Sequence, residues 1–147
     1  MFHVIVVGTD DSDTAAEAVR QATGLAKLHG ARLHIVTAYQ PVLTANTEAA
    51  RQKLPEELRW MVSPGEQADA LLRHAVERMH DSGVEIETHS RTGDAASAII
   101  EVAEEQGADL IVVGNKGMSG VARFLLGSVP NKVAHHAPCD VLIVRTT

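Results

Sequence analysis

Two periods of apolar residues alternate along the chain. Phe2-His-Val-Ile-Val-Val7 is a short, β-branched apolar run that ends at Gly8, the pattern of a strand buried on both faces of a parallel sheet. Ala15, Ala18, Val19, Ala22, Leu25 and Ala26 then recur at helical spacing until Gly30 stops the helix. Asp10, Asp11, Ser12 and Asp13 supply possible caps for it, and Thr14 with Glu17 is placed to form a capping box. Leu33 to Tyr39 is the second strand. The segment from Gln40 to Gly65 carries Pro41, Pro55, Pro64 and Trp60, and reads as an excursion, helical around Glu48 to Lys53, that is either mobile near a site or a plain surface insertion. From Glu66 the helical period returns through Ala68, Leu71, Leu72, Ala75 and Met79 to Gly83. Val84 to Ser90 alternates strictly, as a half-exposed edge strand does. Ala96, Ile99, Ile100 and Ala103 define the next helix, between Asp94 and Gly107. Leu110-Ile-Val-Val113, a helix after Ser128 and a last strand from Asp140 to Arg145 complete the series.

Strand and helix therefore alternate, with five strands and four helices predicted. This is an α/β domain with a mostly parallel sheet and right-handed crossovers, and all of 1–147 reads as one domain.

The stretch that begins at Gly114 carries the chemistry. The strand before it empties into Gly114-Asn115-Lys116-Gly117-Met118-Ser119-Gly120, and Gly127-Ser128-Val129-Pro130 opens the next helix. Glycine admits close approach of a ligand to main-chain N–H groups. Pro130 suits a first helical turn, whose free amides and helix dipole attract an anion. Two such donor clusters, brought together by the intervening segment, would cradle a phosphate chain. Lys116 precedes Gly117 and no Gly-Lys-Ser/Thr occurs, so this is not a Walker A loop, and it is not Gly-x-Gly-x-x-Gly.

Gly-x2-Gly-x9-Gly-Ser at these positions resembles the nucleotide-binding signature of the universal stress protein family, in its ATP-binding branch. The likeness runs from Val6-Val-Gly8-Thr9-Asp10 to the closing Val-Leu-Ile-Val, and actinobacterial members with the Gly-Asn-x-Gly and Gly-Ser-Val-Pro runs, some of which bind cyclic AMP, look particularly similar. The resemblance implies a Rossmann-like, adenine nucleotide alpha hydrolase-like sheet of order 3-2-1-4-5 with helices on both faces. In that order the first and fourth strands are neighbours whose connections diverge, which creates a ligand crevice at their C-terminal ends. Asp10 matches the family's nucleoside-contacting Asp, with Gly8 and Thr9 beside it; its alternative role is to cap the first helix. Ala38 matches a position whose main chain meets the adenine edge, and is otherwise an ordinary small strand residue. Lys116 and Arg123 read either as phosphate-neutralising cations or as solvated surface side chains.

Composition narrows the function classes. The formal net charge of −6 disfavours a nucleic-acid backbone or anionic lipid as partner. One cysteine, Cys139, excludes an internal disulfide and suits a reducing compartment, and neither a leader nor a run of membrane length is apparent, so a cytoplasmic protein is expected. His135-His136-Ala-Pro-Cys139 groups three soft donors without the second half of a zinc site, and His74 and His80 lie on different helix faces, so no metal is expected from the protein alone; Asp10 would meet Mg2+ only through a bound nucleotide. Ser128 lies outside a nucleophile elbow, Cys139 has no identifiable base, and no catalytic residue stands out. The expectation is a stress-response or signalling protein that binds ATP, with or without magnesium, and acts by binding rather than turnover. Cyclic AMP binding on the same fold is the alternative, followed by a slow ATPase or phosphotransferase. A flavodoxin-like carrier is disfavoured by the scarcity of aromatics: one Trp, one Tyr and two Phe. The exposed apolar edge at 140–147 predicts a twofold homodimer.

Overall fold

A computed structural model describes residues 1–41, 45–115 and 126–146. Its elements are β1 (Val4–Gly8), α1 (Asp13–His29), β2 (Arg32–Tyr39), α2 (Ala45–Lys53), a 3-10 stretch (Glu56–Val62), α3 (Pro64–Arg78), β3 (Ile86–Thr92), α4 (Ala95–Gln106), β4 (Leu110–Gly114), α5 (Ser128–His136) and β5 (Asp140–Val144). All five strands are parallel, in the order β3-β2-β1-β4-β5. The segment after Tyr39 is more regular than its sequence suggests. It holds the short helix α2, which covers the stretch expected to be helical, and then the 3-10 stretch. Arg51 Nε donates to Ser63 Oγ across the two, at 2.9 Å.

Alternation along the strands divides the core in two. Ile5, Val7, Leu33, Ile35, Leu110 and Val112 meet α1 and α3 through Val19, Ala22, Ala26 and Leu72. Val6, Val36, Ile111 and Val113 meet α4 and α5 through Ala96, Ile99, Val102 and Val133. Each fully buried Val, Leu or Ile contributes about 1.5–3 kcal/mol relative to exposure, so the central strands fix the sheet. Alanines at 18, 22 and 26 let α1 lie close to it. Gly8 serves the other face: a Cβ there would fall 2.5 Å from Ile99 Cδ1, so the Ile99 side chain of α4 would have to shift.

Helix ends follow the sequence with two exceptions: the start of α1, and the end of α3, which stops at Arg78 with Met79 as its C-cap and does not run on to Gly83. Gly30 and Gly107 close α1 and α4 in the left-handed conformation, at φ 66° and 64°. Asp94 opens α4, accepting from the Ser97 amide. The capping box of Thr14 and Glu17 does not form. Ser12 is the cap of α1, accepting from Ala15 N, while Glu17 binds Arg20 and Gln21 along the helix. Ser12 prevails because Asp11 takes a positive φ of 61°, which turns the chain into the helix two positions before Thr14. At the other end of the sheet Asp109 accepts from the amides of His3 and Val4, pinning the start of β1 to β4. Partial burial pushes this carboxyl up, but those hydrogen bonds outweigh it and hold it below its ordinary value.

Candidate functional site

β1 and β4 lie side by side, and their chains leave in opposite senses: β1 runs into α1 and on to β2, β4 into α5 and on to β5. A crevice opens where their C-terminal ends diverge. Gly8 and Asp10 line it from β1, Val113 and Gly114 from β4, Val129 from the first turn of α5, and Thr146 from beyond β5.

Its β1 wall is set by the turn from Thr9 to Ser12. Asp10 Oδ1 accepts from Ser12 N at 2.9 Å, which orients the half-buried carboxylate toward the crevice. Thr9 differs. Its side chain is buried, accepts from Asp11 N, and belongs to the opposite face of the sheet, where it borders a cleft between α1 and α3. Of this trio, only Gly8 and the side chain of Asp10 therefore line the crevice.

Asn115 organises the β4 wall. Its N–H donates to Val144 O, and its side-chain oxygen accepts from both the N–H and the hydroxyl of Thr146, each at 2.9 Å. Its carbonyl accepts from Gly127 N at 3.0 Å. Asn115, next to Gly114, and Gly127 are thus held in direct contact across the intervening segment. Lys116, Gly117, Met118, Ser119, Gly120 and Arg123 lie outside the described residues.

Gly127 is the N-cap of α5, with no side-chain hydrogen bond and no acidic residue in the first turn. The first amides of a helix have no intrahelical acceptor. Gly127 N is taken by Asn115, and Pro130 has no N–H, so Ser128 and Val129 carry the amides at the positive end of the helix that have no acceptor among the described residues. Ser128 is exposed, whereas Gly127 and Pro130 are buried. Ala38 sits one residue from the end of β2 on the α4 side, paired with Arg91.

The crevice is small, with a volume of about 30 Å³, against about 310 Å³ for the cleft between α1 and α3. Chemistry reverses that order. The larger cleft sets Asp11, Asp13 and Glu17 against Arg20 and Arg78, and Arg20 is already paired with Glu17, so its lining is acidic on balance and poorly suited to an anion. Among the described residues, the smaller one combines amides without an acceptor, the glycines Gly8 and Gly114, and one carboxylate, Asp10.

Thr146, Thr14 and Ile99 also line the crevice and were not indicated by the motif. Thr146 is brought there only by its bonds to Asn115, 31 positions away, for which the sequence carries no local signal. Cys139 is half-buried among the α4 and α5 packing residues; burial, then the charges of Asp140 and Asp109, push its thiol up and keep it protonated.

A doubly wound parallel sheet with an anion-accepting helix start at its switch point defines a class of small-ligand-binding α/β proteins. Residues 1–145 match the model of the universal stress protein family, and the chain belongs to that family. A universal stress protein of Mycobacterium tuberculosis strain H37Rv is 37% identical over 147 residues, covering 99% of this chain and 98% of that relative. A crystal structure of a universal stress protein in complex with cAMP is 37% identical, with a TM-score of 0.71 over 99% of this chain and 98% of the other. The universal stress protein from Archaeoglobus fulgidus in complex with dAMP is 26% identical, with a TM-score of 0.67 over 97% and 98% of the two chains.

Proposed function

We propose that this universal stress protein binds an adenine nucleotide in the crevice between β1 and β4 and acts as a ligand-responsive signalling protein rather than by turnover. The observation that carries this reading is the uncapped start of α5, held by the Gly127–Asn115 hydrogen bond opposite Asp10. The amides of Ser128 and Val129 take the phosphate. Asp10, with one oxygen held by Ser12, keeps the other for the ribose hydroxyls. The main chain at Ala38 supplies the edge that meets the base. Lys116 and Arg123 are assigned to the phosphate side, together with Gly117 to Gly120. The crevice contains no histidine or cysteine among its described lining residues, and its one described carboxylate is Asp10, which supports binding over hydrolysis.

Two ligands compete. Similarity to the cAMP complex over nearly the whole of both chains supports cyclic AMP. The double donor cluster in Gly-x2-Gly-x9-Gly-Ser supports ATP, whose longer phosphate chain would engage both ends. Calorimetric titration with each nucleotide, with and without magnesium, separates them. Magnesium-independent cyclic AMP binding tighter than ATP is expected; ATP binding that tightens with magnesium would reverse the order. Asp10→Ala is expected to weaken either ligand at least about tenfold, and unchanged affinity would remove the crevice as the site.

The same proposal includes a twofold dimer through β5. That strand ends the sheet, and Ile143 on it is 37% exposed, an apolar edge suited to pairing with a second copy. Light scattering at micromolar concentration is expected to give twice the chain mass.

A further inference from the structure

Outside the crevice, the clearest unexplained chemistry lies on the edge pair β2–β3. The parallel register sets His34 opposite Glu87 and Val36 opposite His89. Residues two apart on a strand share a face, so Glu87 and His89 both stand beside His34, on the α4 side of the sheet. His34 Nδ1 is 2.9 Å from His89 Nε2 and 3.6 Å from Glu87 Oε2, and the three ligand-type atoms lie within 4.8 Å of one another. No other such group of three occurs among the described residues.

We propose that His34, Glu87 and His89 form a binding site for a divalent transition-metal cation, Zn2+ by ligand chemistry, on the exposed edge of the sheet.

Three observations carry this. A tetrahedral Zn2+ with bonds of about 2.0–2.2 Å sets its ligand atoms roughly 3.3 Å apart, and the two distances measured from His34 Nδ1 bracket that spacing. A modest opening of the His34–His89 contact admits the ion. Next, the atom of His34 that meets the other two is Nδ1. The ring is 1% exposed and lies among Val6 and Val36, so packing fixes the buried wall of the site, while its buried Nε2 has no partner among the described residues and takes no part in it. Finally, the site grades from buried to open. Glu87 is 63% exposed at its side chain, so an ion has a path in and retains a water or a further ligand in the fourth position.

The surrounding charges permit it. Arg91, the next residue on the same face of β3, is held by a bidentate pair with Glu105 of α4 and does not compete for Glu87. Arg32 at the start of β2 and Glu85, of opposite charge, both border the open groove of about 180 Å³ that leads to His34. Two imidazoles and one carboxylate favour zinc, nickel or copper over magnesium or calcium, which prefer all-oxygen sites. The trio shares no residue with the nucleotide reading, which is built on β1, β4 and α5 and meets β2 at Ala38, so the two proposals are tested separately.

The test uses the tag-free full chain, titrated with Zn2+ by calorimetry and with Co2+ by visible absorption, with circular dichroism to confirm folding. One Zn2+ per chain is expected, with Co2+ giving the absorption of a nitrogen- and oxygen-ligated tetrahedral site. His89→Ala is expected to weaken Zn2+ at least about tenfold. Glu87→Gln, at an exposed position that folding does not need, is expected to weaken it in the same direction. Replacing both His135 and His136, the exposed pair on α5, is expected to leave binding unchanged. Saturable binding that survives both His89→Ala and Glu87→Gln overturns the site. Loss of binding in the His135/His136 variant, or no saturable Zn2+ binding by the parent chain, overturns it equally.

Discussion

The two helices that flank the crevice begin in opposite ways. α1 starts at a turn that satisfies its own polar groups: Ser12 accepts from Ala15 N, Asp10 from Ser12 N, Thr9 from Asp11 N, and Asp13 adds a negative charge to the first turn. α5 starts from glycine, with no capping side chain and no acid in its first turn. Both starts stand at C-terminal strand ends, so position alone does not make an anion site. What distinguishes them is whether the chain has already used the positive end of the helix. α4 is a third case, closed by Asp94 in the manner of α1. The start of α3 also lacks a side-chain cap bond but carries Glu66 in its first turn; α5 has neither cap nor acid, and it is there that the nucleotide phosphate is proposed to bind.

The largest test of this difference is to fill the open start from within. Ser128→Glu puts a carboxylate in the first turn of α5, where the nucleotide phosphate is proposed to bind. Nucleotide affinity is expected to fall at least about tenfold, or roughly 1.4 kcal/mol, while the helix gains about 0.3–1 kcal/mol. Calorimetry and denaturant unfolding on the same variant should therefore move in opposite directions. If both fall together, α5 depends on its open start for folding and the contrast with α1 collapses.

Emptying a closed start should do the reverse. Asp94→Ala removes the cap of α4 and its contacts with Ser97 and Lys132, at an expected cost near 1 kcal/mol with nucleotide affinity unchanged. The Asp94 carboxyl is held below its ordinary value first by the Ser97 amide, then by the Ser97 hydroxyl and more weakly by Lys132. A carboxyl lowered on folding contributes stability above its unfolded pKa and loses it as pH falls through the folded value. The parent's advantage over Asp94→Ala in urea unfolding should thus be present at neutral pH and shrink below about pH 4. The smallest effect is expected from Ser12→Ala, about 0.5–1 kcal/mol in the same assay, because the other bonds of that turn remain.

Much of the molecule can be read without coordinates. The order of elements, the glycine stops at Gly30 and Gly107, the Asp94 cap and the edge position of the alternating strand all follow from local composition and period, because each is decided by residues within a few positions of one another. The strand order, with its switch point beside Gly8 and Gly114, came from the resemblance and agrees with the observed sheet. The short α2 was legible only in part, since a polar helix leaves a faint apolar period.

Other features depend on where distant segments meet. Ser12 rather than Thr14 caps α1 because Asp11 adopts a positive φ and pairs with His74 of α3, at 2.7 Å. Strand alternation turns the Thr9 side chain away from the crevice that Gly8 and Asp10 line, a parity that depends on where β1 ends. Thr146 reaches the crevice through Asn115, and His34 joins Glu87 and His89 through the register of two parallel strands. The sequence by itself determined which segments form helix or strand and where the backbone turns, since those are short-range consequences of side-chain period and glycine. Only the tertiary structure decided which side chains share a face, which helix start stays open and which histidines meet, because pairing register and crossover geometry are properties of segments that are remote along the chain.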